Sequence, residues 1–276
     1  MMSTYKQQIV IGIFFLLLIA PLGYSQDSIV DEEVSVNTQF WVDYNFSKSK
    51  NETRDISTQI GFRKISPKVY DRFLAISTMN IENQSENKFL KLLNSYHIGA
   101  GAIYTSNYDA KDNLELRFIQ GVRFNINTLK VLRINKTSRF LNLNNYIRLE
   151  ERLQTSFNKS WVLGYRLRYK LSTEISWDKH LIRFTKGFYF PLETEFFFNL
   201  KKTDRFNDLI RISPGVGYKT KSGWRFETFI IYNRTKNITE TNNKSSDFIL
   251  RFRIRDEREK TVENTAIEEQ VLEPEE

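Results

Sequence analysis

Between residues 37 and 255 one pattern recurs about eleven times: large apolar or aromatic side chains alternate with polar or charged ones over stretches of roughly ten residues. In 161–173, Trp161, Leu163, Tyr165, Leu167, Tyr169 and Leu171 fall on one face, and Gly164, Arg166, Arg168, Lys170 and Ser172 on the other. A period of two means a β-strand between two unlike environments. A length of ~9–11 residues suits a tilted strand crossing a bilayer. The same alternation also fits a secreted, lipocalin-like soluble barrel or sandwich, with the apolar face buried and the charged face wet. Three features favour the membrane. Tyr, Phe and Trp cluster near strand ends as in interfacial girdles, charges of both signs recur on the polar face, and the strands exceed the usual soluble length.

The N-terminus fits export. Lys6 precedes an apolar run, 9–20, that is too short for a comfortable membrane span, and the sequence turns polar at Gln26. Residues 1–25 are expected to be a signal peptide cleaved after Ser25. The chain has no cysteine, which excludes a lipid-anchored lipoprotein and a disulfide scaffold. No later stretch approaches ~18 consecutive apolar residues, so no membrane helix is expected beyond the signal. A negative mean hydropathy does not oppose a membrane barrel, because half of each strand faces the lumen.

The formal net charge is +8. The tail 256–276 holds nine acidic and two basic residues, so once Lys6 is removed with the signal the body carries +14 against −7 in the tail. A basic body suits small anions or acidic lipid. Nucleic acid is not expected as a partner of an exported chain. The expected partners are the lipid bilayer, the phosphates of outer-leaflet glycolipid, and the barrel-assembly machinery during folding. The acidic tail reads as a solvated extension, with docking to a basic periplasmic partner as the alternative.

Strands are expected near 37–46, 55–65, 70–81, 90–105, 114–126, 140–154, 161–173, 187–198, 209–220, 224–233 and 248–255, joined by turn signals such as Ser66-Pro67-Lys68 and Lys221-Ser222-Gly223. Eleven conflicts with the even counts of single-chain bacterial barrels, whose two ends lie in the periplasm. Sidedness read from each end differs by one strand. A strand missed at 129–134 or 181–184 would restore parity. The expectation is therefore an all-β, transmembrane, antiparallel up-and-down barrel of about twelve strands, with ten as the alternative. Its parts are a signal at 1–25, an N-terminal periplasmic segment at 26–36, the barrel at 37–255 and a periplasmic tail at 256–276.

The polar rows contain the candidate site. Arg148, Glu150 and Arg152 share one face, and neighbouring strands add Arg166 and Arg168, Glu193 and Glu195, Arg211, Arg225 and Glu227, and Arg251 and Arg253. On an earlier strand Arg117 and Arg123 sit similarly, with Glu115 beside them. Opposite charges on adjacent strands pair. One reading is a structural ladder that fills the lumen and fixes register. The other is a basic track or pocket for a small anionic solute.

The segments Leu114-Glu115-Leu116-Arg117, 146–152, 165–169, 193–198 and 211–218 resemble an uncharacterised bacterial barrel family, domain of unknown function 2490, a group of predicted outer-membrane β-barrels. The resemblance covers roughly 40–255. It implies the outer membrane of a Gram-negative bacterium and a barrel fold, and no established activity, catalytic residue or cofactor.

Barrel enzymes that hydrolyse lipids use His with a nearby Ser. Here only Ser95 and His97 share a face, and ~6.6–6.8 Å along the strand separates them. They share it with Gly99 and Gly101, which suggests the lumen rather than the lipid side. An esterase or acylase is the less favoured alternative, and no catalytic residue is assigned. His180 falls in a connection. With two histidines and no cysteine, no metal site or cofactor is expected.

Overall fold

The computed structural model describes residues 35–66, 70–85, 87, 92–108, 111–134, 137–156, 160–176, 187–201, 208–236 and 244–258, without the side chains of 35, 126–141, 236, 244 and 245. These form β1 (Ser35–Asn51), β2 (Arg54–Ser66), β3 (Tyr70–Glu82), β4 (Ser95–Asn107), β5 (Asn113–Ile134), β6 (Thr137–Ser156), β7 (Val162–Ser176), β8 (Phe188–Lys201), β9 (Asp208–Lys219), β10 (Trp224–Lys236) and β11 (Lys244–Asp256). Each strand pairs with its sequence neighbour, and β1 pairs with β11 to close a barrel.

The all-β barrel matches the expectation, but the count of twelve does not. Eleven strands close the ring among the described residues, because β1 and β11 run parallel, in register from Ser35↔Ser245 to Phe46↔Asp256. An odd number of up-and-down strands must contain one parallel pair. The segment 129–134 is no extra strand; it prolongs β5, which pairs with β6 as far as Ile134↔Thr137. The other candidate, 181–184, lies outside the described residues. Parallel closure also resolves the clash in sidedness, because the start of β1 and the end of β11 lie at opposite rims. The rim that holds the start of β1 is called here the first rim, and the other the second.

Parallel pairing is slightly weaker per residue than antiparallel, and side chains fasten this seam on both faces. Inside, Asn37 Nδ2 and Gln39 Nε2 donate to Asp247 at 3.0 and 2.9 Å, and Arg251 Nε donates to Asp43 at 2.5 Å. Outside, the Phe40 and Phe252 rings pack 5.7 Å apart.

The alternation divides the wall as its period requires. Outside stand large apolar residues such as Ile230, Phe118 and Ile98, which are 66, 56 and 56% exposed. Inside, Glu150, Glu115 and Arg152 are only 0, 1 and 1% exposed. Trp161 is exposed and Arg166 buried, as the sequence predicts. Phe229, Ile231, Ile249 and Trp41 form an apolar cluster inside, beside the seam. Small residues make room for this filling. A Cβ on Gly217 would collide with the Tyr189 ring, while Gly223, at φ 88°, takes the left-handed conformation that turns the chain from β9 into β10.

Candidate functional site

The lumen holds a network of arginines and carboxylates set by strand register. Arg117↔Arg152 and Ile119↔Glu150 are paired positions on β5 and β6, and Glu150↔Arg166 and Arg148↔Arg168 on β6 and β7. Glu115 accepts hydrogen bonds from Arg152 Nε and Nη2 at 3.1 and 3.0 Å, from Gln154 Nε2 at 2.6 Å and from Arg117 Nε at 2.9 Å. Arg72 Nη2 stands 3.5 Å from the same carboxylate.

Glu150 is the second hub. Arg148 Nη2 lies 2.5 Å from it, and Arg166 reaches it through Nη2 at 2.5 Å and Nε at 2.8 Å. Arg168 Nη1 and Arg117 Nη1 stand at 3.5 and 3.8 Å. Arg117 thus joins the two hubs. Arg168 bonds onward to Glu195, which takes Arg211 Nη1 at 3.1 Å. Asp208 accepts from Arg166 Nη1 at 3.0 Å and from Asn233 Nδ2 at 3.1 Å. The chain of ion pairs runs without a break from Arg72 on β3 to Arg211 on β9.

A second run links β7 and β8 to β10 and β11. Glu193 meets Lys170 Nζ at 2.8 Å and Arg253 Nη2 at 3.0 Å. Arg253 continues to Glu227, which also accepts the Tyr189 hydroxyl at 2.8 Å. The guanidinium's planar fork explains the prevalence of arginine, since one side chain can bond two carboxylates. Ring faces take up further charge: the Arg63 guanidinium lies 3.9 Å from the Trp41 ring centre, and that of Arg211 5.0 Å from it.

All twelve sequence-derived candidates lie on the lumen face, and eleven of them join these two runs. Arg225 joins the second run near the second rim: it pairs with Glu174 at 2.7 Å and Glu257 at 2.8 Å, and Arg255 links Glu257 at 2.7 Å to Glu227 at 3.9 Å. Arg123 lies over the Tyr146 ring at 5.0 Å. Sequence reasoning left Asp43, Arg72 and Asp208 out and gave Glu115 no central part. Alternation through Asn37, Gln39 and Trp41 does point to Asp43. Asp208 begins its strand beside a connection and carries no such signal.

Ser95 and His97 meet despite their spacing, with Ser95 Oγ 2.9 Å from His97 Nε2. A serine nucleophile needs the imidazole to accept a proton and a further group to stabilise the resulting cation. Here the His97 ring packs 5.0 Å from Tyr146, over which Arg123 and Arg148 also lie. Among the described residues no carboxylate hydrogen-bonds His97. Among the described residues no group of three or more His, Cys, Asp or Glu side chains could hold a metal ion.

The family described as protein of unknown function (DUF2490) matches residues 38–244. The chain belongs to this family. Its DUF2490 segment covers the barrel from β1 to the start of β11, so the charged lumen lies almost wholly within the matched residues. No curated protein and no solved structure matches the chain.

Proposed function

We propose that this barrel resides in the outer membrane of a Gram-negative bacterium, after export and loss of residues 1–25. Its packed, basic lumen is structural first and takes up small anions at most. The observation that carries this reading is the inverted distribution of side chains. Phe73, Phe118, Phe198, Ile230 and Phe248 project outward with half or more of their surface exposed, whereas charged side chains such as Glu115, Glu150 and Arg152 are buried inside. A soluble barrel minimises exposed apolar area, but a lipid-facing wall requires it. The bilayer, outer-leaflet glycolipid and barrel-assembly machinery are the partners this reading implies.

In a bilayer, parallel closure puts the entry to β1 and the exit from β11 on opposite sides. The segments 26–36 and 256–276 then do not both meet the periplasm where they join the barrel. The connections 83–94 and 177–187 and the prolonged β5–β6 hairpin belong to the second rim. External connections are usually the longer ones, which favours the second rim, and with it the acidic tail, as external. That arrangement takes away the periplasmic partner expected for the tail.

Membrane fractionation with gel electrophoresis of boiled and unboiled samples tests the location. The protein is expected in the outer-membrane fraction, with a compact, faster-migrating form before boiling. Recovery as a soluble periplasmic monomer would overturn the reading.

A further inference from the structure

We propose that the lumen corner of Ser95, His97, Arg123, Tyr146 and Arg148, near the second rim, binds the oxyanion end of a small solute, a carboxylate or a phosphate. This deepens the proposed function and rests on it for the biological setting. Register assembles the corner: Ser95↔Arg123 and His97↔Gly121 pair on β4 and β5, and Arg123↔Tyr146 and Gly121↔Arg148 on β5 and β6.

Tyr146 is the floor. The Arg123 and Arg148 guanidinium groups lie 5.0 and 5.6 Å from its ring centre, and the His97 ring centre lies 5.0 Å away. Along the two ion-pair runs each guanidinium is answered by a carboxylate. Arg123 differs: it has no carboxylate within 4.0 Å among the described residues, and it is exposed. Arg148 gives one nitrogen to Glu150, but its buried Nε makes no hydrogen bond. Buried polar atoms are normally satisfied, so two adjacent strands, β5 and β6, hold N–H donors here that the chain itself does not fully use.

With Ser95 hydroxyl and imidazole already bonded, an oxyanion over Tyr146 could take the Arg123 fork and one further N–H or O–H. Arginine forks match carboxylate and phosphate oxygens in geometry as well as charge. Entry is from the rim, past Arg123. His97 itself is buried.

The test is titration calorimetry on the whole mature protein folded in detergent micelles, with folding verified by gel mobility. Sodium acetate and inorganic phosphate are titrated separately against a fixed excess of chloride. Saturable binding of one or both is expected, weakened tenfold or more by Arg123→Gln and unchanged within twofold by Arg225→Gln. The anion that binds identifies the head group. Should Arg123→Gln fail to fold, Ser95→Ala retains every charge and is expected to weaken binding severalfold. A folded barrel that binds neither anion, full binding by Arg123→Gln or by its substitute, or equal loss in Arg225→Gln overturns the site. Any of these leaves the location reading intact, whereas a soluble periplasmic protein overturns the location without deciding the site.

Discussion

Glu150 is fully buried and faces four guanidinium groups, two of them within 2.5 Å. Glu150→Gln leaves those buried cations underpaired, and loss of one partner in a buried pair costs about 3–5 kcal/mol. Glu115→Gln should behave alike, because Arg117 and Arg152 depend on that carboxylate. Glu174→Gln is the contrast. Its side chain is 39% exposed beside Arg225, and surface pairs contribute only ~0–1 kcal/mol. Urea unfolding of the three variants should lower the midpoint strongly for the first two and hardly for the third. An unchanged midpoint in Glu150→Gln would mean that water reaches the network. The face of each of these residues was legible from period two alone. The hubs were not, because partner choice depends on which positions lie opposite one another, and register is a property of the closed sheet. The Ser95–His97 contact was illegible for a related reason: strand spacing gives the distance between backbones, while a tilted imidazole closes the gap.

At the scale of elements, strand existence followed from alternation nearly throughout, and each expected strand has a counterpart in the barrel. The end that moved most is that of β5, which runs to Ile134 instead of stopping near 126, and polar residues prolong two later strands. β10 reaches Lys236 and β11 begins at Lys244, inside what reads as a polar loop of Asn, Thr and Ser. Chain closure was the main failure. Parity borrowed from even-numbered barrels demanded a twelfth strand, yet the residues themselves supplied eleven. The inner clamp of Asn37, Gln39 and Asp247 could not be foreseen, since it joins residues more than two hundred positions apart. The seam offers a direct test in a chain that lacks cysteine. Val42 and Phe252 are paired positions, both exposed on the outer face. Val42→Cys with Phe252→Cys should form an intramolecular disulfide on mild oxidation, seen as a mobility shift reversed by reductant. Disulfides need Cα atoms about 4.4–6.8 Å apart. A twelve-stranded ring would separate the pair by an intervening strand, and the cross-link would not form.

For the whole molecule the question is whether the closed ring is a conduit. Eleven strands enclose less than the sixteen or eighteen that give porins an aqueous channel. Many of the inward side chains are also buried. Phe229 and Ile231 are wholly buried beside the seam, and Ile119, Glu115 and Glu150 are buried across the lumen from them. An ion crossing this section would have to displace buried guanidinium groups that are each held by one or two carboxylates. Steady conductance in a planar bilayer is therefore expected to be low or absent. Where current does appear, anions should carry more of it than cations, because Arg63 and Arg123 add positive charge that no carboxylate within 4.0 Å offsets among the described residues. The measurement is single-channel recording of the purified barrel, with reversal potentials taken in a salt gradient. Large, stable, cation-selective currents would contradict both the packed network and the basic lumen. Brief anion-selective events would instead mean that the network opens locally while the ring stays closed.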